Sequence, residues 1–271
     1  MKRSVILFSF FFLVLSCKTN PFTGKKTLNF YPNSQIFPMA FQQYDQVLNE
    51  SKVVKGTNEA TLVTKVGQRI ASAAERWLTA NGYPAYLKDY RWEYNLIKAD
   101  QVNAWAMPGG KIAVYTGILP ITQTETGLAV VLGHEVAHAL ADHGAQRMSA
   151  GTLQQLGAVA GNVALNKDDE NRQLFNTAYG VGSNVLGMLP FSRSHESEAD
   201  AIGIQIMAIA GYNPYEAAEL WKRMKAKSGG KQPPEFLSTH PSNDTRINKL
   251  AQLAPKAVEE AKKYGVTKFQ K

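Results

Sequence analysis

Residues 128–141 read Leu128-Ala129-Val130-Val131-Leu132-Gly133-His134-Glu135-Val136-Ala137-His138-Ala139-Leu140-Ala141. Val130, Val131, Leu132, Val136, Ala137 and Leu140 make this helical pattern apolar nearly all round, which marks a buried helix. Two imidazoles and a carboxylate inside such a helix require polar partners or a metal ion. His134 and His138 are four residues apart, so on a helix they point about 40° apart and share one face. Both can reach one cation, with Glu135 beside them placed to act on a water molecule. H-E-x-x-H on a helix is the arrangement of zinc hydrolases, in which two histidines bind metal and the glutamate is general base.

A catalytic zinc usually takes a third protein ligand and keeps one position open. His143 is a poor candidate, because it lies nine residues after His134, about 180° around the helix. A metzincin-type arrangement needs a histidine at position 144, which is Gly144. His143 is expected to flank the helix C-terminus, where a partly positive imidazole suits the dipole. The better source is Ser192-Arg193-Ser194-His195-Glu196-Ser197-Glu198-Ala199-Asp200-Ala201-Ile202-Gly203, which reads as a second helix start. Glu196 and Asp200 share a face there, whereas Glu198 points the opposite way. Glu196 can offer a third ligand, and Asp200 can hold a ligand histidine in one tautomer. Glu198 is expected to be a solvated acid and His195 a helix-flanking side chain.

Four blocks, in order, resemble the gluzincin metallopeptidases that include the CAAX prenyl endopeptidases, the HtpX-like membrane proteases, the mitochondrial Oma-like proteases and the periplasmic BepA-like proteases. They are Asn103-Ala104-Trp105-Ala106-Met107-Pro108-Gly109-Gly110, Gly133 to His138, Ser192-Arg193 with Glu196 to Asp200, and Thr239-His240-Pro241-Ser242 with Arg246. The likeness spans about residues 60 to 252. It implies an α+β fold, a mainly α-helical zincin with a small β-sheet whose edge strand flanks the active-site helix. It implies one Zn2+ per chain held by His134, His138 and Glu196, with Glu135 as catalytic base and Asp200 supporting the ligands. His240 and Arg246 fall on residues near the metal that meet substrate or the oxyanion. In some relatives the matching histidine approaches the zinc and holds the enzyme shut.

Trp92 to Ile97 and Lys111 to Tyr115 read as short strands, with a Pro108-Gly109-Gly110 turn before the second. The resemblance places here the edge strand along which an extended substrate lies, held by main-chain hydrogen bonds.

Lys2 and Arg3, the apolar run Val5 to Leu15 and then Ser16-Cys17 read as a signal peptide over residues 1–16, too short for a permanent span. Val14-Leu15-Ser16-Cys17 resembles a bacterial lipobox, and Cys17 is the only cysteine. The mature chain is then expected to start at lipidated Cys17, to carry residues 17–39 as a tether and residues 40–271 as the metallopeptidase domain. Lys18 follows the cysteine, so an outer-membrane lipoprotein facing the periplasm is expected. Loss of Lys2 and Arg3, with no acid lost, lowers the formal charge from +8 to +6. The remaining basic residues are scattered in short pairs, which argues against nucleic acid as a partner. A mild attraction to anionic membrane surfaces fits the excess better.

Residues 18–35 read as irregular, Ala40 to Asn81 and Tyr215 to Ala226 as helical, Lys227 to Pro234 as a loop, and Ala254 to Lys271 as an amphipathic tail. Gly151 to Leu165 and Phe175 to Leu189 read as two packed helices joined by Lys167-Asp168-Asp169-Glu170, a candidate lid. Neither reaches the ~18 clean apolar residues of a membrane span. Two function classes remain: a zinc endopeptidase acting on unfolded or misassembled envelope proteins, and a chaperone-like or binding lipoprotein with a latched or structural zinc. The general base Glu135 favours the first, since structural zinc needs none.

Overall fold

The computed structural model describes residues 17–164, 188–227 and 244–270, with Phe236 and His240 between the last two segments. These residues fall into two compact units, one drawn from residues 1–32 and 142–196, the other from residues 33–141 and 197–271.

In the first unit, β1 (Cys17–Thr19) and β2 (Lys26–Leu28) form an antiparallel hairpin that pairs Cys17 with Leu28. The stretch read as irregular therefore contains a small sheet. Helix α5 (His143–Ala164) packs with this segment. Ser149 Oγ accepts from the Phe30 amide at 2.9 Å, and the hydroxyls of Tyr31 and Thr152 lie 2.7 Å apart. Lys18 reaches Asp142 at 2.6 Å. Helix α5 covers Gly151 to Ala164, the first of the two expected lid helices. The connecting loop and Phe175 to Gly187 lie outside the described residues.

The second unit is built on one four-stranded sheet and a layer of helices. Helix α1 (Asn33–Glu50) buries Ile36, Phe37, Ala40 and Tyr44 as one stripe, so the expected tether boundary at residue 40 falls inside a helix. Strand β3 (Val53–Val54) follows, inside the stretch from Ala40 to Asn81 where helical patterns dominate. Helix α2 (Asn58–Ala80) begins where the Thr57 hydroxyl accepts from the Ala60 amide at 3.2 Å, satisfying one of the free first-turn donors. Val63, Val66, Ile70, Ala74, Trp77 and Leu78 recur on one face of α2 and are buried.

Strands β4 (Glu93–Ile97), β5 (Ala104–Met107) and β6 (Lys111–Tyr115) complete the sheet in the order β3-β4-β6-β5. The two strands read from the sequence, β4 and β6, are parallel neighbours, with Glu93 opposite Lys111. The Pro108-Gly109-Gly110 turn instead joins β5 to β6 as an antiparallel pair. Gly109 and Gly110 have φ of +81° and +90°, a region that side chains disfavour. The outer strand on that side is therefore β5, and it packs on helix α4 (Glu125–Leu140), the H-E-x-x-H helix.

Short helix α3 (Leu119–Thr122) leads into α4. The Thr124 hydroxyl caps α4 by accepting from the Gly127 amide at 3.0 Å. At its far end Tyr86 and Tyr90 donate to the carbonyls of Leu140 and Ala139, at 2.7 and 3.1 Å. Residues Thr126 to Leu140 are all buried, as the uninterrupted apolar pattern requires. The part of helix α6 (Met188–Ile209) from residue 197 on, with α7 (Glu216–Lys227) and α8 (Asp244–Lys263), completes the layer. Beyond α8, Gln270 returns to bridge Tyr212. Among the described residues no helix is long and apolar enough to cross a membrane.

Candidate metal centre

Helix α4 delivers His134, Glu135 and His138 into the interior, where they are 3%, 3% and 6% exposed. One helical turn brings His134 Nε2 and His138 Nε2 to 3.1 Å, with ring centroids 4.7 Å apart. His240 arrives from a separate segment. Its amide donates to the Phe236 carbonyl at 2.8 Å, and the Phe236 amide donates to the Val102 carbonyl at 3.1 Å. His240 Nδ1 then stands 3.1 Å from His134 Nε2, and His240 Nε2 stands 3.5 Å from Glu135 Oε1.

Three ring nitrogens, one each from His134, His138 and His240, thus lie within 4.8 Å of one another. Neutral imidazoles have one donor and one acceptor nitrogen each. With His134 Nε2 facing both neighbours, the three rings can turn lone pairs toward a common point when His138 carries its hydrogen on Nδ1 and His240 on Nε2. A cation there resolves the arrangement, and imidazole donors beside carboxylates suit zinc.

The orientation of His134 is fixed from behind. Asp200, on α6, places Oδ1 3.0 Å from His134 Nδ1. A carboxylate accepts, so Nδ1 carries the hydrogen and Nε2 keeps its lone pair for the cluster. Arg246, on α8, donates through Nε to Asp200 Oδ2 at 2.8 Å and through Nη2 to Oδ1 at 2.7 Å. Burial alone would raise the Asp200 pKa, but the Arg246 charge and the His134 hydrogen bond outweigh it and hold the carboxyl below its ordinary range. Asp200 is thereby kept as an anion that can accept from three donors.

The structure separates the remaining acids and histidines. Glu196 is on α6, one turn ahead of Asp200 and on the same face, and it is the last residue of the first unit. Glu198 is only 7% exposed, which corrects the expectation of a solvated acid: α6 is enclosed around Ala199 and Ile202 at this point. His195 and His143 do not join the three clustered histidines. They stack face to face within the first unit, centroids 4.0 Å apart and planes 6° apart, and His195 Nε2 meets Gln146 Oε1 at 3.1 Å. His195 sits inside α6 rather than flanking it. Cys17 opens strand β1.

Sequence reasoning missed the packing partners of the site. Gly133 and Gly203 are one pair: a Cβ on Gly203 would meet the Gly133 carbonyl group at 2.8 Å. Only glycine permits α4 and α6 to cross this closely. Trp221 is another, fully buried against His134 and Arg246. It shares the buried face of α7 with Leu220 and Met224, and nothing in the spacing distinguishes it from them.

The family model described as Peptidase family M48 matches residues 64–254. Mitochondrial metalloendopeptidase OMA1 of Schizosaccharomyces pombe is 35% identical over 224 residues, covering 81% of this chain and 61% of its own length. Metalloendopeptidase OMA1, mitochondrial, of Homo sapiens is 26% identical over 248 residues, covering 89% and 47%. The beta-barrel assembly-enhancing protease of Escherichia coli (strain K12) is 27% identical over 182 residues, covering 64% and 37%. The chain thus spans between 37% and 61% of the length of these relatives. The family match takes in α4, the described part of α6 that carries Asp200, and His240 and Arg246, so the likeness runs through the site as well as the scaffold, and the chain belongs to peptidase family M48.

Proposed function

We propose that this chain is a zinc-dependent endopeptidase that cleaves unfolded or misassembled proteins of the cell envelope. The observation that carries the reading is the convergence of the His134, His138 and His240 ring nitrogens beside Glu135, with Asp200 setting the His134 tautomer. Glu196 is the proposed third protein ligand, because α6 puts it on the same face as Asp200, one turn away. Zinc held there supplies a Lewis acid for the scissile carbonyl and for water. Glu135 takes the proton of the attacking water and delivers it to the departing amine. Its burial keeps the carboxylate away from competing bulk water. Strand β5, the outer strand beside α4, offers the main-chain edge for an extended substrate. The resemblance implies that Arg246, like His240, meets substrate or the oxyanion. Its bidentate grip on Asp200 favours a role behind His134 instead, and leaves His240 as the candidate to meet developing charge.

The likeness to a beta-barrel assembly-enhancing protease supports an envelope setting. With it goes a signal peptide over residues 1–16, lipidation at Cys17 and anchorage facing the periplasm. Labelling with a radioactive fatty acid should mark the full-length chain and not Cys17→Ser; equal labelling of both removes the anchor. The enzymatic reading is tested by metal exchange. The full-length chain should contain one zinc, cleave reduced casein, lose cleavage on chelation and regain it on adding zinc back. Cleavage that survives complete zinc removal would refute it.

A second reading is favoured by one distance. His240 Nδ1, 3.1 Å from His134 Nε2, is close enough to close the metal site against substrate. A protein latched this way would act as a binding or chaperone-like lipoprotein until His240 withdrew.

A further inference from the structure

The chain of contacts behind His134 does not end at Arg246. The Arg246 guanidinium carbon lies 3.5 Å from the centroid of the Trp221 ring, directly over its face. Trp221 also meets His134 edge-on, with centroids 6.0 Å apart and planes at 74°. Trp221 also stacks on Phe236, with centroids 5.7 Å apart and planes at 25°, and Phe236 in turn lies 4.6 Å from His240. Trp221 and Phe236 are 1% and 0% exposed. One indole therefore touches two of the three clustered histidines, His134 directly and His240 through Phe236.

We propose that Trp221 is a positioning residue for the metal site: its indole face holds the Arg246 guanidinium in register with Asp200, and Asp200 in turn holds His134. This rests on the zinc reading above and adds a residue to it. The physical reason lies in what the guanidinium has to do. Arg246 is 7% exposed and must present Nε and Nη2 together to the two oxygens of Asp200. Its Nη2 also stands 3.3 Å from both His134 ring nitrogens, so a small rotation of the fork would press on the ligand. An aromatic face attracts the cation without occupying an N–H, and tryptophan does this best among the side chains. At 3.5 Å the ring face also limits how far the guanidinium can swing away from Asp200.

The alternative is that Trp221 merely fills space, and the two roles separate by experiment. Zinc affinity is measured by chelator competition on full-length wild type, Trp221→Phe, Trp221→Leu, Arg246→Gln and the double variant Trp221→Phe with Arg246→Gln. Melting of each zinc-free protein reports packing separately. Trp221→Leu, which keeps apolar bulk without a π-face, should weaken zinc roughly 10- to 100-fold, the range seen when the support of a metal ligand is removed. Trp221→Phe should recover part of that loss. In the Arg246→Gln background Trp221→Phe should cost no further zinc affinity, because the cation it held is gone. Unchanged zinc affinity in Trp221→Leu overturns the proposal. So does the same loss from Trp221→Phe in both backgrounds, and this comparison decides the matter even if Trp221→Leu does not fold. A wild-type chain that binds no zinc would instead fail the zinc reading itself.

Discussion

Asp200 Oδ1 stands 3.0 Å from His134 Nδ1, and the same carboxylate takes both fork nitrogens of Arg246 at 2.7 and 2.8 Å. One buried acid therefore links the H-E-x-x-H helix to the helix that carries Arg246. Removing it has two consequences. Asp200→Asn keeps an acceptor but not the charge, so zinc affinity should fall roughly 10- to 100-fold by chelator competition. Asp200→Ala leaves the Arg246 cation buried without this partner, and should in addition cost about 3–5 kcal/mol of stability in denaturant unfolding. An Asp200→Asn protein with wild-type zinc affinity would show that His134 needs no such support.

Gly203→Ala should separate the two helices that carry the site. The new Cβ would lie 2.8 Å from the Gly133 carbonyl group, which is backbone and has little freedom to move. We expect a loss of about 1–3 kcal/mol, typical of overpacking, together with weaker zinc binding. Thermal melting and chelator competition measured together check this. A melting temperature equal to wild type would mean the helices part freely.

Acid should loosen the start of the zinc helix. Burial pushes the Glu125 pKa up, but hydrogen bonds from Lys65, Gln270 and Tyr212 outweigh it and hold the group below its ordinary value of 4.5. Tyr212 Oη donates to Glu125 at 2.9 Å and Lys65 Nζ at 2.8 Å, and the carboxylate also faces the positive end of the α4 dipole. A depressed carboxylate stabilises the fold above its unfolded pKa, and the contribution is lost as pH falls through the folded value. Glu125→Gln should therefore melt below wild type at neutral pH, with the gap closing as the pH drops below 4.5. A gap that is constant with pH would exclude ionisation as the source.

His240→Ala separates the open and latched readings. If His240 closes the site at rest, its removal should raise casein cleavage and leave zinc bound by the other ligands. If it meets developing charge on the substrate, kcat should fall about 100-fold or more, as on removal of an oxyanion donor. Unchanged cleavage would assign it neither role.

How much of this was legible in the chain depends on the range of the signal. His134, Glu135 and His138 declare themselves because one helical turn suffices to bring them together. Glu196 and Asp200 do so for the same reason. His240 and Arg246 entered through a matching motif, since no local pattern brings residues 106 and 112 positions away to His134. The sheet was read only in part. Ala104 to Met107 has alanine at alternate positions, a poor strand signal, and it becomes β5 because the Gly109-Gly110 turn folds it back on β6. Residues 18–35 were read as irregular because Asn20-Pro21 and Thr23-Gly24 are turn residues, yet these turns are what allow β1 and β2 to pair. Glu198 was misread because its burial is set by neighbouring elements, which the period of its own helix does not report. The same limit hid Trp221 and the crossing of Gly133 with Gly203.

On this reading Glu135 performs the chemistry at a zinc held by α4. The most direct test is the rate of reduced-casein cleavage by full-length wild type and Glu135→Gln, compared at equal measured zinc content. One zinc per chain is expected in both proteins, with at least a ~100-fold loss of rate in the variant, the scale of a missing general base. Wild-type cleavage by zinc-loaded Glu135→Gln would contradict it.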